Sequence, residues 1–192
     1  MCAARGLDPA ALAAACLRGG ARWLQLRQKR SGSARFLELT RAVVSAARGF
    51  DGAVIVNDRA DIARMAGAGG VHVGQEDLTV EDVLGVAGEG VLVGVSTHDA
   101  AQVDAAIAGP AGYLAVGPIY GTSTKDTGYT ARGLDLLRYA AGRGKPVVAI
   151  GGITLDHVDE LVAAGASALA VISDLLATGD AEGRIRQYVN RI

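Results

Sequence analysis

The chain has 192 residues, half of them hydrophobic and only 4% aromatic, with a formal net charge of −1. That length supports one substantial core of Ala, Val, Leu and Ile and leaves little room for a second domain. The near-neutral charge argues against a broad basic surface for nucleic acid or anionic membrane. No run approaches the roughly 18 apolar residues of a membrane span.

Arg5 and Asp8 lie near the N-terminus with no apolar stretch of a signal sequence around them, so none is expected. Cys2 and Cys16 lack metal-ligand spacing, and a reduced cytoplasmic setting is the expectation. Asp8-Pro9 reads as an N-cap followed by Pro at the first helical position, opening an Ala-rich helix over Ala10–Leu17. A strand follows at 21–27, ARWLQLR. Its Gln25 and Arg27 alternate with Leu24 and Leu26, and Lys29 continues the polar phase. Phe36, Leu39, Val43 and Val44 then recur at helical spacing.

Further strands are predicted at 53–57, 70–74, 91–95, 112–117, 146–150 and 167–172. Thr79-Val-Glu-Asp82 resembles a capping box before the helix that follows the 70–74 strand. Val158, Leu161 and Val162 mark a helix over 156–164, and Gly165 stands where a C′ glycine would end it. Strands alternating with helices throughout mean parallel βαβ units. The open doubly wound sheet and the closed (β/α)8 barrel are the two α/β choices. Neither G-x-G-x-x-G opening a helix nor G-x-x-x-x-G-K-[ST] occurs.

The polar residues favour the barrel. Arg27, Gln28 and Lys29 follow the first strand, and Asn57 and Asp58 the second. Gln75, Glu76 and Asp77 follow the third, and Ser96, Thr97 and His98 the fourth. The fifth leads into 117–126, GPIYGTSTKD, the sixth into Gly151-Gly152 and the last into Ser173-Asp174. In a barrel these C-terminal ends converge on one mouth. Gly151-Gly152 reads either as part of a phosphate site, with backbone approaching an anion, or as a tight βα turn only. Asp58 and Asp77 suit a hard cation such as Mg²⁺, or serve as helix N-caps. The loop with Thr122, Ser123, Thr124 and Lys125 is too long and polar for a minimal turn. Of the histidines, His72 is expected to be structural, His98 to line the mouth and His157 to be solvated on its helix.

Seven motifs then carry a resemblance. They are Q-L-R-Q-K (25–29), V-N-D (56–58), V-H-V-G-Q-E-D (71–77), G-V-S-T-H (94–98), G-P-I-Y-G-T-S-T-K (117–125), A-I-G-G-I-T (149–154) and V-I-S (171–173). In this order the chain resembles the thiamine-phosphate synthase family, (β/α)8 enzymes that join a pyrimidine diphosphate to a thiazole phosphate. The resemblance implies that Gln25, Leu26, Arg27, Gln28, Lys29, Asn57, Ser96 and Lys125 bind the pyrimidine diphosphate. It implies Mg²⁺ on Asp58 and Asp77. Thr122, Ser123, Thr124, Gly152, Ile172 and Ser173 are then expected on the thiazole phosphate, and Arg27, Lys29 and Lys125 act on the leaving diphosphate. It implies small-molecule partners, with no nucleic acid or membrane, and leaves the oligomeric state open.

One departure stands out. The family's barrel begins with an apolar strand before the first helix, whereas here Met1–Leu7 (MCAARGL) leads almost directly into Asp8-Pro9. The expectation is therefore a single TIM-type domain over 1–192 with seven strands, about eight helices and the first strand missing or truncated. Two rivals share the fold. A thiazole tautomerase would lack the Gln/Arg/Lys strand and the paired Asp residues, and would carry a histidine at the position of Pro118. A truncated, non-catalytic binding protein is the other.

Overall fold

A computed structural model describes residues 6–29, 31–121 and 128–192. Among them α1 (Pro9–Arg18), β1 (Trp23–Leu26), α2 (Ser33–Ala47), β2 (Ala53–Asn57), α3 (Ala60–Ala66) and β3 (Gly70–Val73) form the first half. Next come α4 (Val80–Ala87), β4 (Leu92–Thr97), α5 (Ala100–Ala108), β5 (Tyr113–Val116), α6 (Gly133–Ala140), β6 (Val147–Ile150), α7 (Val158–Ala163), β7 (Ala168–Ala170) and α8 (Ala181–Val189). The strands form one sheet in chain order, β1 to β7, and every neighbouring pair is parallel.

The local signals act as written. The Asp8 carboxylate accepts from the N–H groups of Ala10 and Ala11, with Pro9 at the start of α1. Thr79 caps α4 through its hydroxyl, which accepts from Asp82 N at 3.1 Å. The return contact differs from a capping box: the Asp82 carboxylate accepts a hydrogen bond from the Thr79 hydroxyl at 2.7 Å rather than from the Thr79 backbone N–H. Gly165, at φ +96, ends α7 with its N–H on Val162 O, and Ala166 N reaches Leu161 O. All seven predicted strands occur, with β1 trimmed to four residues, β7 cut from six residues to three and β4 extended through Ser96 and Thr97.

Side chains alternate between two environments. In β5, Leu114 and Val116 join the large helix-side core, which also holds Ile62, Leu137 and Leu161. Tyr113 and Ala115 face the other way and cluster with Val148 on β6. In β1, Leu24 and Leu26 pack toward Ala13, Leu17, Val43 and Ala47 of α1 and α2. Trp23 and Gln25 therefore take the inner face.

The sheet is strongly curled. Strands β1 and β5 are four positions apart, which in a flat sheet means roughly 19 Å. Yet the rings of Trp23 on β1 and Tyr113 on β5 lie 4.9 Å apart. Among the described residues the strand ring stays open, because β1 and β7 each have one neighbour. The helix layer does meet across that seam. Arg18 Nε bonds Glu182 Oε2 at 2.8 Å, and a Cβ on Gly19 would sit 2.6 Å from the Glu182 carbonyl oxygen and 2.9 Å from the Ile185 side chain. Among the described residues the result is a seven-stranded, TIM-like α/β fold, one strand short of a closed (β/α)8 barrel.

Candidate active site

The alternation that half-buries Leu24 and Leu26 puts Gln25 on the inner face of β1, whereas Arg27, predicted as part of the strand, lies just past its end and is exposed, with Lys29 two residues further on. Lys29 Nζ lies 2.7 Å from Asp58 Oδ2, joining the ends of β1 and β2. Asp58 has φ 63, in the left-handed region that few non-glycine residues occupy. Its N–H donates to His72 O at 2.8 Å, so the end of β3 holds this backbone in place. Asn57, just before it, is buried.

Arg59 is excluded from this cluster. It forks onto Asp61 at 2.8 and 2.5 Å and reaches the Ser33 hydroxyl at 3.1 Å. That hydrogen-bonded guanidinium holds the Asp61 carboxyl below its ordinary range.

After β3, Asp77 Oδ2 accepts from Gly74 N at 2.9 Å and its residue is exposed. Neither aspartate is a helix N-cap: α3 is capped at Arg59 and α4 at Thr79. Among the described residues no three His, Cys, Asp or Glu side chains gather as a metal cage. A pair of hard carboxylates at the ends of adjacent strands still fits Mg²⁺, which keeps waters and takes substrate phosphate oxygens as further ligands.

Ser96 belongs to β4 itself and is buried, its carbonyl accepting Gln75 Nε2 at 2.6 Å. His72 is buried, as expected of a structural residue, with its ring nitrogens 2.9 Å from Tyr113 Oη and 2.9 Å from Ser96 Oγ. His98 does not face an open mouth. It is buried, donates from Nδ1 to the Gly117 carbonyl and stacks on Tyr129 at 4.0 Å. Nor is His157 a solvated helical residue. It sits in a 3₁₀ turn (Leu155–His157), accepts from Thr154 N and stacks 3.8 Å from the Tyr120 ring. The aromatic partner lies 37 residues upstream, beyond the reach of any local pattern.

The loop after β5 runs beside β6, with Ile119 N on Ile150 O and Tyr120 N on Gly151 O. Tyr120 Oη donates to Glu160, and burial together with that carboxylate pushes its phenol well above the ordinary range. Gly151 and Gly152 have φ +91 and +67. A Cβ on Gly151 would lie 2.4 Å from Pro118 Cβ, and one on Gly152 would lie 2.6 Å from Gly121 O. Turn geometry and close packing thus account for both glycines without a ligand. Thr122, Ser123, Thr124 and Lys125 lie outside the described residues.

Past β7, Ile172 and Ser173 are exposed. Asp174 is bound to α8, accepting Arg184 Nε at 3.0 Å, Arg184 Nη2 at 2.8 Å and the Tyr188 hydroxyl. This fixes the turn that presents Ile172 and Ser173. Sequence reasoning missed the His72–Tyr113 link and the Trp23–Tyr113 contact, which join residues far apart in the chain, and the Asp174 anchor, which spans 10 and 14 residues and so exceeds a helical or strand period.

A curled parallel sheet with cations, carboxylates and glycine turns at the strand C-termini is the layout of a barrel-type enzyme for anionic small molecules. The chain belongs to the thiamine monophosphate synthase family, whose model matches residues 2–175. It is 42% identical over 178 residues to the thiamine-phosphate synthase of Anaeromyxobacter dehalogenans, covering 92% of this chain and 80% of that one. To the Mycolicibacterium paratuberculosis thiamine-phosphate synthase it is 44% identical over 181 residues, covering 88% and 81%. The solved thiamine phosphate pyrophosphorylase of Pyrococcus furiosus superposes with a TM-score of 0.88 at 28% identity, covering 95% of this chain and 88% of that one.

Proposed function

We propose that this chain condenses 4-amino-2-methyl-5-(diphosphooxymethyl)pyrimidine with 4-methyl-5-(2-phosphooxyethyl)thiazole, giving thiamine phosphate and diphosphate. The observation that carries the reading is the Lys29–Asp58 pair at the joined ends of β1 and β2, within a family match covering 2–175. A thiazole tautomerase would lack both partners of that pair and carry histidine in place of Pro118.

The reaction is dissociative in this reading. The C–O bond to diphosphate breaks first, the electron pair leaves with diphosphate, and a pyrimidine-methyl cation remains. The thiazole nitrogen then supplies the pair for the new C–N bond. No enzyme nucleophile is needed, so the demand on the protein is charge stabilisation and orientation. Arg27 and Lys29, with Lys125, meet the growing negative charge on the leaving group. Lys29 exchanges its Asp58 partner for a substrate oxygen. Gln25, Leu26, Gln28, Asn57 and Ser96 hold the pyrimidine diphosphate. Thr122, Ser123, Thr124, Gly152, Ile172 and Ser173 hold the thiazole phosphate. Asp58 and Asp77 would hold Mg²⁺, which when bound supplies counter-charge to the diphosphate oxygens. Polar small-molecule substrates of this kind fit a cytoplasmic setting.

The test is direct. Purified, folded protein given both substrates and Mg²⁺ should produce thiamine phosphate and stoichiometric diphosphate. A folded sample that forms neither product would overturn the reading and favour the non-catalytic alternative.

A further inference from the structure

Inside the barrel, beneath the mouth, four polar groups form a chain across three strands. Tyr113 Oη on β5 is 2.9 Å from His72 Nδ1 on β3, and His72 Nε2 is 2.9 Å from Ser96 Oγ on β4. The Ser96 carbonyl is held by Gln75 Nε2 at 2.6 Å. His72, Ser96 and Tyr113 are all nearly inaccessible, at 6%, 4% and 3% exposure. The arrangement depends on Gly94, because a Cβ there would lie 1.9 Å from Tyr113 Cζ. Trp23 closes the far side of the Tyr113 ring at 4.9 Å.

We propose that Tyr113 and His72 are positioning residues that set the direction of the Ser96 hydroxyl, making Ser96 a hydrogen-bond donor to the pyrimidine diphosphate. The proposal rests on the assignment of Ser96 to that substrate. A neutral imidazole donates from one nitrogen and accepts at the other, so the chain has two possible directions. In one, the phenol donates to Nδ1, Nε2–H donates to Ser96 Oγ, and the Ser96 proton is left for a ligand. In the other, Ser96 donates to Nε2 and has no proton to offer. The phenol is a far more acidic hydroxyl than that of serine and is the stronger donor toward an imidazole nitrogen. Burial pushes the Tyr113 phenol above its ordinary range, so it keeps the proton that it gives. The first direction wins.

Two measurements test this. Nitrogen-15 NMR of the free protein, with His72 assigned through the His72→Gln variant, should show the ring protonated at Nε2 only. Protonation at Nδ1 only, or at both nitrogens, would overturn the proposal. Calorimetry with the pyrimidine diphosphate should show Tyr113→Phe weakening binding by about fivefold, the loss of one neutral hydrogen bond. The KM for the thiazole phosphate should stay unchanged. In a Ser96→Ala background the same substitution should add nothing, because Tyr113 acts through Ser96. Additive losses would overturn the relay, as would unchanged affinity in a Tyr113→Phe protein of parental melting temperature. Should the parent itself fail to bind the pyrimidine diphosphate, the substrate assignment falls, and the tautomer still decides the direction of the Ser96 hydroxyl. Should Tyr113→Phe fail to fold, the parent's tautomer decides the same point.

Discussion

Asp58 holds a backbone conformation that costs on the order of 1–3 kcal/mol for a non-glycine residue and places its carboxylate against Lys29. Such strain persists where a side chain is needed more than an easy backbone. Asp58→Gly should therefore raise the melting temperature while abolishing most thiamine phosphate formation, measured side by side. Asp58→Asn keeps the shape and removes the charge, so its activity should need more Mg²⁺ than the parent's; identical Mg²⁺ titrations would contradict the metal assignment. Arg27→Ala should slow turnover at least tenfold, since a charge-assisted hydrogen bond is worth about 1.5–3 kcal/mol. An unchanged rate would remove Arg27 from the leaving-group site. The inner-face position of Gln25 was legible because alternation in W-L-Q-L puts Leu24 and Leu26 on the other strand face, and such a pattern is local. His72, Ser96 and Tyr113 meet across 24 and 41 residues of sequence, and no local pattern encodes that contact.

At the scale of elements, β4 shows why boundaries are harder to read than faces. The apolar run stops at Val95, but the strand continues through Ser96 and Thr97, both buried. Ser96 turns to the inner face and His72, while Thr97 follows Val93 and Val95 on the helix side and donates from its hydroxyl to Ala115 O, so hydrophobicity ends before hydrogen bonding does. Helix α8 shows an effect of medium range, over 10 to 14 residues. Its attachment to the β7 end runs through Asp174, whose carboxyl burial pushes up, while Arg184 and Tyr188 more than offset that and hold it below the ordinary range. A lowered folded value means the stabilisation is present above the unfolded value of about 3.9 and is lost as pH falls through the folded one. The parent should accordingly melt higher than Asp174→Asn at pH 6, and the difference should shrink toward pH 3. A constant difference would show that the charge of Asp174 contributes nothing. In β4 itself, Gly94→Ala should destabilise by about 1–3 kcal/mol through overpacking, lowering the melting temperature by about 2–10 °C. It should also weaken pyrimidine diphosphate binding, because Tyr113 must move.

For the molecule as a whole, seven β–α units in order were legible from the alternation of patterns, and the barrel from the polar residues gathered at the strand ends. That the described residues hold seven strands, one fewer than a closed (β/α)8 barrel, was legible too. How the remaining elements meet around that gap was not, since Arg18 and Glu182 are 164 residues apart. The structure joins the helix layer there and leaves the edges of β1 and β7 without strand partners among the described residues. The exposure pattern agrees: β3 and β5 are buried at every position, whereas β1 and β7 have no buried residue. Trp23, on the inner face of β1, remains 41% exposed. Edge strands with few buried contacts open at lower free energy than the strands between them. In hydrogen–deuterium exchange, peptides covering β1 and β7 should therefore take up label at least tenfold faster than those covering β3 to β5. Gly19→Val, which wedges a side chain against Glu182 and Ile185, should speed both edges further and leave β4 unchanged, because it pries α1 from α8 without touching the central strands. Equal protection of β1 and β4 in the parent would mean that something covers the seam in solution. A dependence of that protection on protein concentration would identify the cover as a second copy of this chain.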